Sequence, residues 1–377
     1  MSKNDKIKCG ICGHEAHILA LHIIEEHKMT LDDYVKTYGE FVSGPAKDYL
    51  KQMEVEANND KADVSIKTLF GVQISGKKTQ TWAWQYPHKT TPKVDPDYVF
   101  RPEIVSLLIA SHENVSEKLL FTGPTGSGKS SAIEQGAARL NVPFYRVNLD
   151  NDVTKSDFVG QYILKGDETT YQYGVLPLAM KQGAWLLVDE WDMGNPGVTA
   201  VLQAVLEGKP LQLADTGEIV FPAEGFRIFA TGNTIGQGDE TGLYSGTQVQ
   251  NFAQLDRFTM VEFVDYPSTK IEEAIVKKQC GLTDENLKKQ FGVSEISEKD
   301  NSASIVKNIV QVAKLVREAF RKEEVTTTMS TRTLVNIGNK LLMFGDIKRA
   351  YKVGYLNKLN SQDREFCEEI IQRQWGV

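Results

Sequence analysis

Cysteine is scarce in this chain, with four in 377 residues, so no disulfide framework is expected. Two of them form a C-x-x-C step near the N-terminus; Cys280 and Cys367 stand alone in the C-terminal half. No apolar run is long enough to cross a bilayer, and no segment has the apolar stretch of a secretory leader. The expected location is therefore the cytoplasm, with no membrane partner. An excess of basic charge is also missing. Lys and Arg number 43 against 50 Asp and Glu, a formal charge of −7. That balance supplies no overall field toward nucleic acid or an anionic surface, although a local basic patch is compatible with it. Internal repeats and low-complexity tracts are absent, which argues against a solenoid or a disordered scaffold.

The composition that remains is 41% hydrophobic and 25% charged, ordinary for a globular protein long enough to hold two or three cored domains. Four regions separate along the chain. Residues 1–44 carry a Cys/His cluster, and residues 45–95 read as a polar linker followed by an extended segment with two nearby tryptophans. From 96 to 266 short apolar strands (LLFTG, FYRVNL, WLLVDE, FRIFATGN) alternate with helical stretches such as SSAIEQGAARL and GVTAVLQAVLEG. That alternation predicts an α/β core with a parallel sheet. From 267 to 377 the strands stop, and SIVKNIVQVAKLVREAFRKEE, TRTLVNIGNKLLMFG and DREFCEEIIQRQW show helical spacing of apolar residues.

GPTGSGKS lies between a strand and a helix and fits G-x-x-x-x-G-K-[ST]. Glycines in such a loop let backbone N–H groups face phosphate oxygens, and the following helix adds partial positive charge. The expected phosphate cradle is Gly123, Pro124, Thr125, Gly126, Ser127, Gly128, Lys129, Ser130 and Ser131. Lys129 is expected to reach the β- and γ-phosphates of ATP, and Ser130 to hold Mg²⁺. WLLVDEWD places Asp189 and Glu190 at the end of a buried strand, sixty residues after Lys129. An acidic pair at a strand end is common in isolation; behind a phosphate loop it reads as a magnesium residue, Asp189, and a water-polarising base, Glu190. IFATGN puts Asn233 at another strand end, where an amide can orient the same water. QLDRF offers Arg257, either a cation for a neighbouring subunit's γ-phosphate or half of a structural Asp–Arg pair.

Phosphate loop, DE strand end, ATGN and LDRF, in that order and before a helical segment, resemble the AAA+ ATPases of the MoxR class. From about Lys67 onward the chain is similar to the small ATPase subunit of aerobic cobaltochelatase, most specifically in GDETGLYSGTQ and MSTRTLVNIGNKLLMFGDIKRAYKVGYLNKL. The resemblance implies an AAA+ fold with an α-helical lid and a hexameric ring. It makes Asn233 sensor 1, Arg257 an arginine finger and Arg332 of STRT a sensor 2 residue touching the γ-phosphate from the lid. It further implies a separate partner bearing a von Willebrand A domain, and inserted hairpins, here DFVGQYILKGDETTYQYGVLP and PLQLADTGEIVFPAEG. A bacterial or phage genome would suit such a protein. In the chelatase a large subunit handles metal and tetrapyrrole, and nothing in this sequence looks like either site.

The remaining motif is CGICGHEAHILALHIIEEH. Cys9 and Cys12 flank a two-residue turn, and His22 and His27 are separated by four residues on a helical stretch. Two thiolates and two imidazoles make a closed tetrahedral zinc site of the structural kind. Four of the six histidines fall within the fourteen residues from His14 to His27, so His14 and His17 are spares. The nine-residue gap between Cys12 and His22 resembles the bacterial Ros/MucR finger more than the common spacing of about twelve. Glu25 and Glu26 on its helix oppose phosphate, which favours protein docking over DNA reading. Three functions follow: an ATP-driven remodelling motor addressed by the finger, a cobaltochelatase ATPase subunit, or an ATPase targeted to DNA or RNA through the finger.

Overall fold

The computed structural model describes residues 6–16, 19–28, 31–38, 43, 59–76, 78–238, 246–292 and 301–376. His17 as a spare ligand, the boundary at Gly44, the linker up to residue 58 and the middle of GDETGLYSGTQ lie outside the described residues. The chain divides into two compact units, Met1–Ala62 with Trp84–Lys89, and Asp63–Ala83 with Thr90–Val377.

In the smaller unit, β1 (Ile7–Lys8) pairs antiparallel with β2 (Glu15–Ala16), and α1 (Ala20–His27) and α2 (Leu31–Tyr38) follow. Cys9, Leu19, Ile23 and Tyr34 form its core, with Ile7 and Ala16 packed alongside. Among the described residues this core is small, and cores of that size ordinarily depend on a metal or a disulfide.

Next in the chain come β3 (Lys61–Ser65), paired to β4 (Gln80–Trp84), and then α3 (Pro102–Glu113) of the larger unit. The α/β core follows as β5 (Leu119–Thr122), α4 (Lys129–Arg139), β6 (Phe144–Asn148), β7 (Gly160–Lys165), β8 (Glu168–Tyr173), α5 (Val175–Gln182), β9 (Trp185–Asp189), β10 (Leu211–Gln212), β11 (Ile219–Val220), β12 (Arg227–Thr231) and β13 (Met260–Phe263). Five strands form one parallel sheet in the order β13-β5-β12-β9-β6. The three central strands, LLFT, RIFAT and WLLVD, are buried throughout, which is why they read as continuous apolar runs. The edge strand β13 has no such signal: MVEF leaves Val261 and Phe263 exposed and pairs only with β5.

Two antiparallel hairpins project from this core, β7–β8 turning at Gly166–Asp167 and β10–β11 turning near Thr216–Gly217. They bind each other. The Tyr173 hydroxyl donates to Glu218 at 2.6 Å, and Lys181 of α5 pairs with the same carboxylate at 2.6 Å. GVTAVLQAVLEG, expected as one helix, is broken into Pro196–Thr199, a 3-10 turn at Ala200–Leu202 and Gln203–Leu206. The Thr199 hydroxyl donates back to the Pro196 carbonyl (3.2 Å) and to Gln254 (2.9 Å), a side-chain competition that bends helices.

The C-terminal part is helical: α6 (Thr269–Cys280), α7 (Asp284–Phe291), α8 (Ser302–Arg321), α9 (Thr331–Phe344), α10 (Ile347–Gly354) and α11 (Ser361–Trp375). Ile305, Ile309, Val312 and Val316 line one face of α8 and pack against Leu334, Ile337, Tyr351 and Ile371. Cys280 and Cys367 are free thiols in this core, pushed up to about 12 and about 11 by burial, as unreactive core residues.

A buried ion pair ties this lid together. The Arg317 guanidinium donates twice to Glu272 (2.7 and 2.8 Å) and once to the Met329 carbonyl (2.8 Å). Thr331, at the start of α9, donates to the same Glu272 at 2.5 Å. Replacing Glu272 with Ala leaves a buried cation unpaired, a change that costs about 3–5 kcal/mol. A Tm several degrees below wild type in thermal unfolding is the expected result.

Candidate active site and metal centre

The carboxyl edge of the sheet collects the chemistry, as open parallel sheets do. The loop after β5 turns through Gly123, Gly126 and Gly128, all at positive φ (131°, 72° and 94°). Close packing accompanies that freedom: a Cβ on Gly126 would lie 2.7 Å from Ser330 Cβ, at the start of the lid helix α9. The Lys129 ammonium donates to the carbonyls of Gly123 (2.6 Å) and Pro124 (3.0 Å) and to Asn233 Oδ1 (3.3 Å). Burial holds it down to about 8, against the pull of Asp192, Asp189 and Glu190. Ser127 Oγ is buried in the same loop with no protein partner among the described residues. A loop with an orphaned hydroxyl and a partly desolvated lysine fits a polyphosphate, which supplies acceptors and negative charge to both.

Asp189 is buried at the end of β9. Its Oδ1 accepts from Ser130 Oγ (2.7 Å) and from Thr231 Oγ1, and its Oδ2 pairs with Arg146 of β6. Ser130 and Asp189 thus bring a hydroxyl and a carboxylate together, residues that would hold Mg²⁺, an ion that in phosphate-loop enzymes neutralises charge on the transferring phosphate. Glu190 follows in the left-handed region at φ 55°. Partial burial, then Asp189 and Asp192, raise its carboxyl above the usual range.

Two cavities meet here. The smaller, about 140 Å³, is lined by Thr125, Gly126, Gly128, Lys129, Ser130, Ser131, Arg146, Asp189, Glu190, Thr231, Gly232, Asn233 and Arg332. The sequence-predicted loop, base, sensor amide and lid arginine therefore converge on one space. The larger, about 370 Å³, shares Gly126, Gly128, Ser131 and Arg332 with it, and continues between core and lid past Tyr98, Phe100, Ile104, Gln135, Ile275, Gln279, Val335 and Asn336. Its apolar walls and amide edges suit a nucleoside beside the phosphate cradle. Arg257 lines neither cavity; it pairs with Glu207 at 2.6 Å and bonds the Ala253 carbonyl.

Several contributing residues carried no sequence signal in isolation. Asp192 accepts from the backbone N–H groups of Asn233 (3.0 Å) and Thr234 (2.7 Å) and so fixes the loop that presents Asn233. Tyr266 donates to the Thr125 carbonyl (3.1 Å), while Arg317 stacks on its ring at 3.8 Å. A repeated acidic residue in WLLVDEWD was the one legible hint of Asp192.

In the smaller unit, the ligand atoms of Cys9, Cys12, His22 and His27 all lie within 4.8 Å of one another. Cys9 Sγ is 3.4 Å from His27 Nε2, Cys12 Sγ 3.2 Å from His22 Nε2, and the two imidazole nitrogens are 3.1 Å apart. Ordinary zinc bond lengths at tetrahedral angles require about 3.5 Å between sulfur and nitrogen and about 3.3 Å between nitrogens, so the four residues fit that ion. Burial alone would raise the Cys9 thiol, but the Cys12 and Ile11 N–H groups, the Tyr34 hydroxyl and His22 bring it down to about 6. His14 stacks on the His22 ring at 4.4 Å rather than joining the ligand set.

The profile of the AAA domain of the dynein-related subfamily matches residues 118–247, and that of the CbbQ/NirQ/NorQ C-terminal region matches 296–372. The chain is 35% identical over 327 residues to the aerobic cobaltochelatase subunit CobS of Sinorhizobium sp, covering 85% of this chain and 93% of that protein. It is 33% identical over 188 residues to protein NorQ of Paracoccus denitrificans, or 50% of this chain and 66% of that one. Among solved structures, the Thermotoga maritima RuvB Holliday junction branch migration motor is a distant likeness: TM-score 0.42, 13% identity, 76% of this chain and 75% of that one. The chain belongs to the AAA+ ATPases of the CbbQ/NorQ/MoxR class, the family that includes that cobaltochelatase subunit. It is a nucleotide-binding ATPase with a parallel-sheet core and a helical C-terminal region, and among the described residues no helix is long and apolar enough to cross a membrane.

Proposed function

We propose that this ATPase works as a ring, hexameric in its family's manner, which remodels a protein partner recruited through an N-terminal zinc finger. The observation that carries the ring is the place of Arg257. It stands outside the nucleotide cavities of its own chain, in a half-buried ion pair with Glu207, as a finger meant for a neighbour's γ-phosphate does. Lys129, Ser130 and Asp189 bind Mg²⁺-ATP, Glu190 and Asn233 prepare the attacking water, and Arg332 senses the phosphate from the lid. The finger is held by zinc on Cys9, Cys12, His22 and His27. It serves protein docking rather than DNA, since Lys8, one of its few cations, is already paired with Glu15 at 3.0 Å. A separate von Willebrand A protein is the expected partner.

A second reading is favoured by the extent of the cobaltochelatase match: the same motor acting as the ATPase subunit of a metal chelatase. One experiment addresses both. Glu190→Gln protein held with ATP is cross-linked to its partners, with and without Cys12→Ser. Bound zinc and, on the otherwise wild-type chain, hydrolysis are measured in parallel. The motor reading expects one zinc per chain, loss of zinc and of a von Willebrand A partner on Cys12→Ser, and hydrolysis unchanged. Capture of a tetrapyrrole-binding subunit supports the chelatase. Binding to DNA that Cys12→Ser abolishes sinks the protein-docking role.

A further inference from the structure

Arg146 was not singled out by any motif, yet it occupies the most consequential position in the small cavity. It projects from β6 beside Lys129, Ser130, Asp189, Glu190 and Asn233. Its Nη2 holds Asp189 Oδ2, and its Nε donates to Asn148 Oδ1 at 2.9 Å. The two partners of the ion pair differ sharply in exposure, 42% for the arginine side chain and 5% for the aspartate. A buried carboxylate without a cation is expensive, whereas an exposed guanidinium can turn into water at little cost.

Asp189 has a second claim upon it. With Ser130, on Oδ1, it would form the magnesium side of the nucleotide site, and a guanidinium on Oδ2 puts a full positive charge on the same carboxylate. The two cations repel each other and compete for the same carboxylate. We infer that Arg146 is a stand-in counter-ion: it neutralises Asp189 while the site lacks magnesium and yields the carboxylate when the ion arrives. The Asn148 amide is the tether that keeps it within the cavity during that exchange. Arg146 thus shields incoming phosphates from the charge of Asp189 within its own subunit, a role distinct from those of Arg332 and Arg257.

This inference rests on Asp189 and Ser130 being the magnesium side of the site, and the test separates the two. A fluorescent N-methylanthraniloyl-ATP is titrated onto Glu190→Gln protein, with excess Mg²⁺ and again with EDTA, for Arg146, Arg146→Gln and Arg146→Lys. One charge-assisted hydrogen bond is worth about 1.5–3 kcal/mol, roughly a 10- to 150-fold change in affinity. In EDTA, Arg146→Gln is expected to weaken nucleotide binding by about that factor. With Mg²⁺ it stays near the parent affinity, and the Mg²⁺ concentration giving half-maximal binding falls because its competitor is gone. Arg146→Lys, which keeps the charge, retains most of the EDTA affinity. The ratio of the two affinities is the informative quantity, since misfolded protein lowers the bound fraction without altering it. An Arg146→Gln variant that loses the same factor in both media is a structural residue, and one that changes in neither is a bystander; either result overturns the inference. Binding by the Arg146 parent that is indifferent to Mg²⁺ would instead refute the magnesium assignment of Asp189.

Discussion

Glu190→Gln is expected to lower ATP turnover by about 10²–10⁴-fold, the range for loss of a positioned general base, while ATP still binds. The reason lies in how the two acids at the end of β9 are employed. Asp189 is committed to Ser130, Thr231 and Arg146, whereas Glu190 lines the same cavity with its carboxyl raised above the usual range by partial burial and the neighbouring acids. Gln keeps the size of that side chain and removes its negative charge and its basicity. Phosphate release and nucleotide affinity measured on one preparation check the expectation. Hydrolysis that survives the substitution would falsify the assignment of Glu190 as base.

Arg257→Ala is expected to be costlier still in an assembled protein, about 10³–10⁵-fold in turnover, the contribution of an arginine finger to phosphoryl transfer. Its defect should differ in kind. Each Arg257→Ala chain keeps its own Lys129, Asp189, Glu190 and Arg332, so nucleotide affinity stays near wild type. Mixing Arg257→Ala with Glu190→Gln chains supplies sites that have both an intact base and a neighbour's intact arginine, and turnover should partly return. If the mixture is as inactive as its components, Arg257 is no finger, and its pairing with Glu207 (2.6 Å) is a structural contact.

What the sequence made legible tracks the strength of local physical constraints. β5, β9 and β12 were readable because strands buried on both faces must be apolar throughout. The phosphate loop was readable because so few residue types allow that backbone. β13 was not, since a four-residue edge strand with a central Glu262 looks like any exposed segment. The same holds for the site. Lys129, Asp189, Glu190 and Asn233 are marked by neighbours in sequence, and the fold brings them into one cavity. Arg146, Asp192 and Tyr266 acquire their roles only through contacts made across forty or more residues (Arg146–Asp189, Asp192–Asn233, Tyr266–Thr125), which no local pattern encodes. The larger cavity is likewise assembled from three distant stretches, around Tyr98, Gln135 and Asn336.

The contact between Gly126 and Ser330 is also a matter of clearance. The phosphate loop and the first residues of the lid helix approach so closely that one added carbon would lie 2.7 Å from its neighbour, and packed interiors yield little to such pressure. Mechanically, the joint has almost no backlash. A side chain at position 126 would press on Ser330, the residue just before Thr331, which is bonded to the Glu272–Arg317 pair.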